Sequence, residues 1–157
     1  MQSAARYINR LTFTDRIIKN QTEGLTQADS MKQLPFPANC MNWILGHLLV
    51  YRMQILGMID GASQADEAEF ALYGNGSEPL TDSAKAIPLE TLLPRLDAAS
   101  GEIVTAFENM PAGRLAEVYD EEQGTTVDDH LSFYVIFHES YHAGQLEPLR
   151  ELALAGK

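Results

Sequence analysis

Four separate stretches of this 157-residue chain place apolar residues at steps of three and four, and no convincing pair of alternating strands lies between them. That spacing follows the 3.6-residue turn of an α-helix, so each stretch presents one apolar stripe. The first runs over residues 3–24, with Tyr7, Leu11, Thr14, Ile17 and Ile18 on the stripe and Gly24 as its stop. The second covers 40–59, through Met41, Ile44, Leu45, Leu48, Tyr51, Ile55 and Ile59, with Asn39 as the expected N-cap and Gly61 at its end. The third covers 88–109, through Leu89, Leu92, Leu93, Leu96, Ile103, Val104 and Phe107. Pro94 fits its first turn if Thr91 is the cap, and kinks it if the helix starts at Pro88. The fourth runs from a Thr126/Asp129 capping box to about residue 155, with Leu131, Tyr134, Val135, His138, Tyr141, His142, Gln145, Leu149 and Leu152 in one stripe. Stripes of this kind are buried by packing on one another, and the expected architecture is all-α, a single four-helix bundle domain over residues 1–157.

The connectors are less regular. Pro35-Phe36-Pro37 cannot continue a helix, so 25–38 reads as an extended connector. Residues 61–87, rich in Gly, Asn and Pro, read as a loop with at most a short helical turn, of a length that suits a binding segment or lid. Residues 111–125 are polar and acidic, with a short extended piece at Val118-Tyr119.

Charge narrows the partners. Eleven basic against 22 acidic residues leave a net charge of −11, which repels nucleic-acid phosphates and anionic lipid heads. No nucleic-acid or membrane partner is expected. The lone cysteine, Cys40, forbids an internal disulfide and suits a reducing cytoplasm; it reads as a small buried hydrophobe rather than a reactive thiol. The first residues lack the apolar core of a signal peptide, and no apolar run is long enough to span a bilayer.

The chemistry lies in the histidines. His138 and His142 are four residues apart on one helical face, where both rings can reach one ion at the about 2.0–2.1 Å of a zinc–nitrogen bond. His47, midway along the second stretch, is the candidate third ligand from a facing helix. The plain alternative is a set of hydrogen-bonded core histidines. His130, in the first turn of its helix, reads as a surface or loop-contact residue. The letters His138-Glu139-Ser140-Tyr141-His142 also match the zinc-protease pattern H-E-x-x-H. Only fifteen residues follow His142, however, and neither Glu147 nor Glu151 points cleanly back as a further ligand. Glu139 is a candidate general base or partner to a ligand, against the alternative of an exposed helix glutamate. Tyr51 and Tyr141 are either proton donors or core aromatics.

Two segments carry a family resemblance. NWILGHLLVYR, residues 42–52, resembles the W-x-x-x-H signature of the DinB/YfiT-like family, and HESYHAGQLEPLRELA, residues 138–153, resembles its last-helix pattern H-x-x-x-H-x-G-Q. ALYGNGSEPL, residues 71–80, looks like the glycine-containing loop between the family's second and third helices. The resemblance implies a four-helix bundle of up-down-down-up order. It also implies a divalent metal, zinc or nickel, held by His47, His138 and His142, with Gly144 and Gln145 matching the G-Q pair. It further implies a metal-dependent hydrolase or thiol S-transferase acting on a small molecule, in some relatives with a low-molecular-weight thiol. Gln145, on the ligand face, can orient a ligand or fill a polar gap in the core. The competing expectation is a non-catalytic metal-binding or dimerising bundle, and a homodimer is compatible with either.

Overall fold

In the computed structural model, which describes residues 4–61 and 65–155, the chain is mostly helical. The expected start of the first helix at Ser3 lies outside the described residues. In chain order the helices are α1 (Ala5–Thr22), α2 (Gln27–Ser30), α3 (Met41–Asp60), α4 (Glu67–Tyr73), α5 (Leu89–Glu108), α6 (Val127–Leu131) and α7 (Glu139–Leu154). A π-helical segment, Ser132–His138, joins α6 to α7. A short hairpin precedes α6, with β1 (Val118–Asp120) antiparallel to β2 (Thr125–Thr126) and Val118 opposite Thr126. Only the extended piece at Val118 is legible in the sequence; a two-residue partner strand is too short to show alternation.

The long helices pack α3 on α5, α1 on α7, α3 on α7 and α1 on α5. Their cross-links show the directions. Asn42 donates to the Ile87 carbonyl and Arg52 to that of Leu96, while Arg114, beyond the end of α5, donates to Met58, so α3 and α5 advance in step. Tyr7 meets Asp128, Thr14 meets Glu139, and Arg150 reaches the Gln21 carbonyl, so α1 advances in step with the α6–α7 arm. Tyr51 stacks on Tyr134 while His47 meets His138, so α3 opposes that arm.

Two apolar clusters fill the interior. One gathers Trp43, Leu45, Leu48, Tyr73, Leu92 and Leu146; the other gathers Tyr7, Leu11, Ile55, Ile103, Val127 and Leu131. Each large aliphatic chain buried in them contributes about 1.5–3 kcal/mol. Every residue of α3 from Met41 to Arg52 is buried, a wider face than one stripe predicts. The extra cover comes from α4, which lies on α3 where the sequence suggests a loop. Asp66 caps α4 by accepting from the backbone of Ala68 and Glu69. Gly46 makes the close approach possible, since a Cβ at that position would lie 2.6 Å from Tyr73 Cγ and nearer still to the ring edge.

Other local expectations shift in detail. The connector 25–38 contains α2, held by a Thr26/Asp29 capping box. Cys40, rather than Asn39, is the N-cap of α3, with no side-chain cap bond. Helix α5 starts after Pro88 and carries Pro94 in its interior, which leaves the Glu90 carbonyl without its usual helical donor. The Thr126/Asp129 capping box is present. The fourth stretch is not one uninterrupted α-helix, because the π segment adds residues to a turn; Tyr141, expected on the buried stripe, is 54% exposed. No helix among the described residues is long and apolar enough to cross a membrane.

Candidate metal centre

Helix α3 carries His47 in its fully buried half, and the end of the π segment delivers His138 one turn before His142 of α7. The three imidazoles form a tight triangle, with centroid separations of 4.9 Å for His47–His138 and 4.5 Å for each of the other two pairs. One ligand nitrogen from each ring lies within 4.8 Å of the others. Nε2 of His47 and Nε2 of His138 are 3.0 Å apart, close to the ~3.3 Å that two nitrogens span across a tetrahedral zinc.

The surroundings orient these rings. His47 Nδ1 faces the Tyr73 carbonyl at 2.6 Å. A carbonyl only accepts, so Nδ1 carries the proton and Nε2 keeps its lone pair. His142 Nδ1 donates to Gln145 Oε1 at 2.7 Å, which leaves its Nε2 free in the same way. Such outer hydrogen bonds fix the tautomer and raise the basicity of metal-ligating imidazoles. Nδ1 of His138 is buried without a hydrogen-bond partner. Trp43 stacks on His47 at 4.5 Å, and Tyr51 lies 4.6 Å from the centroids of both His47 and His138. The Trp43 indole donates to Ser77, which ties this wall to the segment after α4.

Burial keeps the rings neutral. It pushes His47 down to about 4, opposed by the bond to Tyr73. It pushes His138 down to about 3, helped by the charges that His142 and His47 would carry. His142 is also lowered by burial, with Gln145 acting in the opposite sense. At neutral pH the site therefore offers uncharged nitrogen donors, and converging lone pairs of this kind suit a cation. This group of three histidines can hold a metal ion.

Glu139 is not an exposed helix residue. It is fully buried, its Oε1 accepting from Arg52 Nε at 2.8 Å and its Oε2 from Arg52 Nη2 at 2.9 Å and Thr14 Oγ1 at 3.2 Å. Both oxygens are thus engaged away from the histidines. Arg52, also fully buried, reaches Asp15 and Ser100 with Nη1 at 2.9 and 2.7 Å; Glu139 and Asp15 hold its guanidinium firmly charged against the burial that opposes it. The sequence reading missed Arg52 and Tyr73. Tyr73 acts through a backbone carbonyl, which no residue type announces, and its hydroxyl accepts from the Ile87 amide and donates to Asn42. Gly46, unusual in mid-helix and adjacent to His47, is the one sequence signal for that contact.

Cys40 is buried at the start of α3, its thiol pKa raised by burial, and does not line the site. His130 is half-buried, bonded to Thr125 and packed on Tyr119, away from the triangle. The histidines open into a cavity of about 740 Å³, walled by α3, α7, the π segment and the 34–39 connector. From the stretch 61–87, expected to supply a lid, only Asn75 lines this cavity; residues 62–64 lie outside the described part.

These features define a predominantly helical protein with a buried three-histidine site, able to hold a metal, beneath an open cavity. No family model matches the chain, and no curated protein matches it either.

Proposed function

We propose that this protein is a metal-dependent enzyme of the DinB/YfiT-like type, acting on a small molecule by hydrolysis or thiol S-transfer. In this reading His47, His138 and His142 hold a divalent cation, zinc or nickel, in an up-down-down-up four-helix bundle. The observation that carries it is the meeting of three uncharged imidazoles at the floor of a cavity large enough for a substrate. A closed site would instead favour a structural metal.

When bound, such a cation supplies a Lewis acid that lowers the pKa of water to about 7 and ionises a thiol outright. The chain's own residues do the rest. Tyr73 and Gln145 orient two of the ligands, Trp43 and Tyr51 pack against the rings and limit water, and Arg52 with Glu139 anchors the start of α7 beside His138. Both Glu139 oxygens are engaged by Arg52 and Thr14, so a general-base role for Glu139 would require that pairing to open.

The assay is turnover by zinc- or nickel-loaded protein. A small thiol and an electrophile are followed for conjugation, and an activated ester for hydrolysis, each with and without metal. Conjugation that needs both metal and thiol selects the transferase. Metal-dependent ester cleavage without thiol selects the hydrolase. Stoichiometric metal with neither reaction favours the non-catalytic bundle. The row of half-exposed rings Phe133, Phe137 and Tyr141, packed in sequence along one face, supports a homodimer as a second reading, which sedimentation tests directly. The buried, unpaired cysteine fits a cytoplasmic location.

A further inference from the structure

The cavity over the histidines has a one-sided chemistry. Among the described residues, no Asp, Glu, Lys or Arg lines it. Its walls are Leu34, Ile44, Trp43 and Leu149, and its only polar side chains besides histidines and tyrosines are Asn39, Asn75 and Gln145. At the rim stand Phe36, Phe133 and Tyr141, which are 60%, 49% and 54% exposed. The adjacent carboxylate, Glu139, is already matched by Arg52, each fully buried. Three imidazoles bring no negative charge, so a divalent cation held there has no protein anion to balance it. In a low-dielectric pocket that charge favours anionic ligand atoms at the metal, while a charge carried further out on the ligand's body, against the apolar walls, finds no partner and is penalised.

From this we propose that the cavity takes a ligand with one anionic donor group on an apolar, ring-bearing body, and rejects ligands that carry a further charge on that body. The inference rests on the reading that the histidines hold a divalent metal. The donor end sits at the histidines, and the body lies between Ile44, Leu149 and the rim rings, covering aromatic surface that is otherwise half in water.

Trp43 is the only tryptophan in the chain and stacks on His47, so its fluorescence reports the site directly. Zinc-loaded protein is titrated with acetate, hexanoate, 3-phenylpropanoate, 3-phenylpropanamide and 3-(4-carboxyphenyl)propanoate, with zinc per chain measured on the same samples. Hexanoate should bind more tightly than acetate by about fourfold for each methylene buried. 3-Phenylpropanoate should exceed both 3-(4-carboxyphenyl)propanoate and the neutral amide by at least about tenfold. In metal-free protein its advantage over the amide should vanish. Phe133→Arg, at a half-exposed rim position, should narrow the preference for the monoanion over the dianion severalfold. Zinc-loaded protein that binds 3-(4-carboxyphenyl)propanoate as tightly as 3-phenylpropanoate, or a Phe133→Arg variant with unchanged preference, overturns the inference and leaves the metal site standing. Protein that takes up no zinc overturns the metal reading itself.

Discussion

Replacing Glu139 by glutamine separates two roles that the H-E-x-x-H pattern confuses. In the structure Glu139 accepts two bonds from Arg52, at 2.8 and 2.9 Å, and one from Thr14, and neither partner of the ion pair reaches solvent. The amide would turn a donor toward a guanidinium that also only donates. Removing one partner from a buried ion pair costs about 3–5 kcal/mol. Asp15, 2.9 Å from Arg52, keeps part of the charge balanced and moves the expectation toward the lower figure. At about 2–4 °C per kcal/mol for a domain of this size, Tm of the metal-free protein should fall by about 6–15 °C. The double variant Arg52→Met/Glu139→Leu removes both charges and should recover most of that loss, because paired buried charges exchange for apolar side chains at little net cost. Thermal and urea denaturation followed by circular dichroism measure both variants. Glu139→Gln protein as stable as the parent, or a double variant no better than the single, refutes the ion-pair reasoning. A fully stable Glu139→Gln protein that has lost turnover would return Glu139 to the role of general base.

Gly46→Ala drives a methyl group into the Tyr73 ring; it should cost about 1–3 kcal/mol of stability by overpacking and weaken zinc binding about tenfold or more as the carbonyl behind His47 moves, read by denaturation and competitive chelator titration. Gln145→Ala removes the acceptor of the His142 Nδ1 proton and should lower zinc affinity about 10–100-fold with the circular dichroism spectrum unchanged. The metal-free protein should lose stability as pH falls from about 6.5 toward 4, because unfolded histidines take up protons near 6.5 while burial holds His47 and His138 down to about 4 and about 3. Urea midpoints across that range test the sign, and His47→Ala protein should show a shallower fall; stability that rises on acidification would contradict the assignment.

Periodicity made the long helices legible, because apolar residues at steps of three and four have little meaning except as a buried stripe. It failed where the stripe is short or where burial comes from outside the long helices. Helix α4 has seven residues and offers mainly Tyr73 and Phe70 to α3, too few to stand out among Gly and Asn. The π segment is invisible to any fixed period, and Tyr141, three positions after His138 and one before His142, lies to the side of their shared face and is exposed. The histidines themselves could be paired on paper, since i and i+4 share a face whatever follows. Their supports could not. The acceptor behind His47 is a backbone oxygen, and Arg52 finds Glu139 across 87 residues of sequence. A charged residue in an apolar stretch signals a buried partner without naming it.

Metal content is the most direct measure of the central claim that three imidazoles share one cation. Protein purified without a chelating tag and reconstituted with zinc should carry one ion per chain. His47→Ala and His142→Ala should each lose it while keeping a helical spectrum. Folded parent protein that binds no zinc or nickel after reconstitution, or a His47→Ala variant that holds the ion as tightly as the parent, would contradict the account.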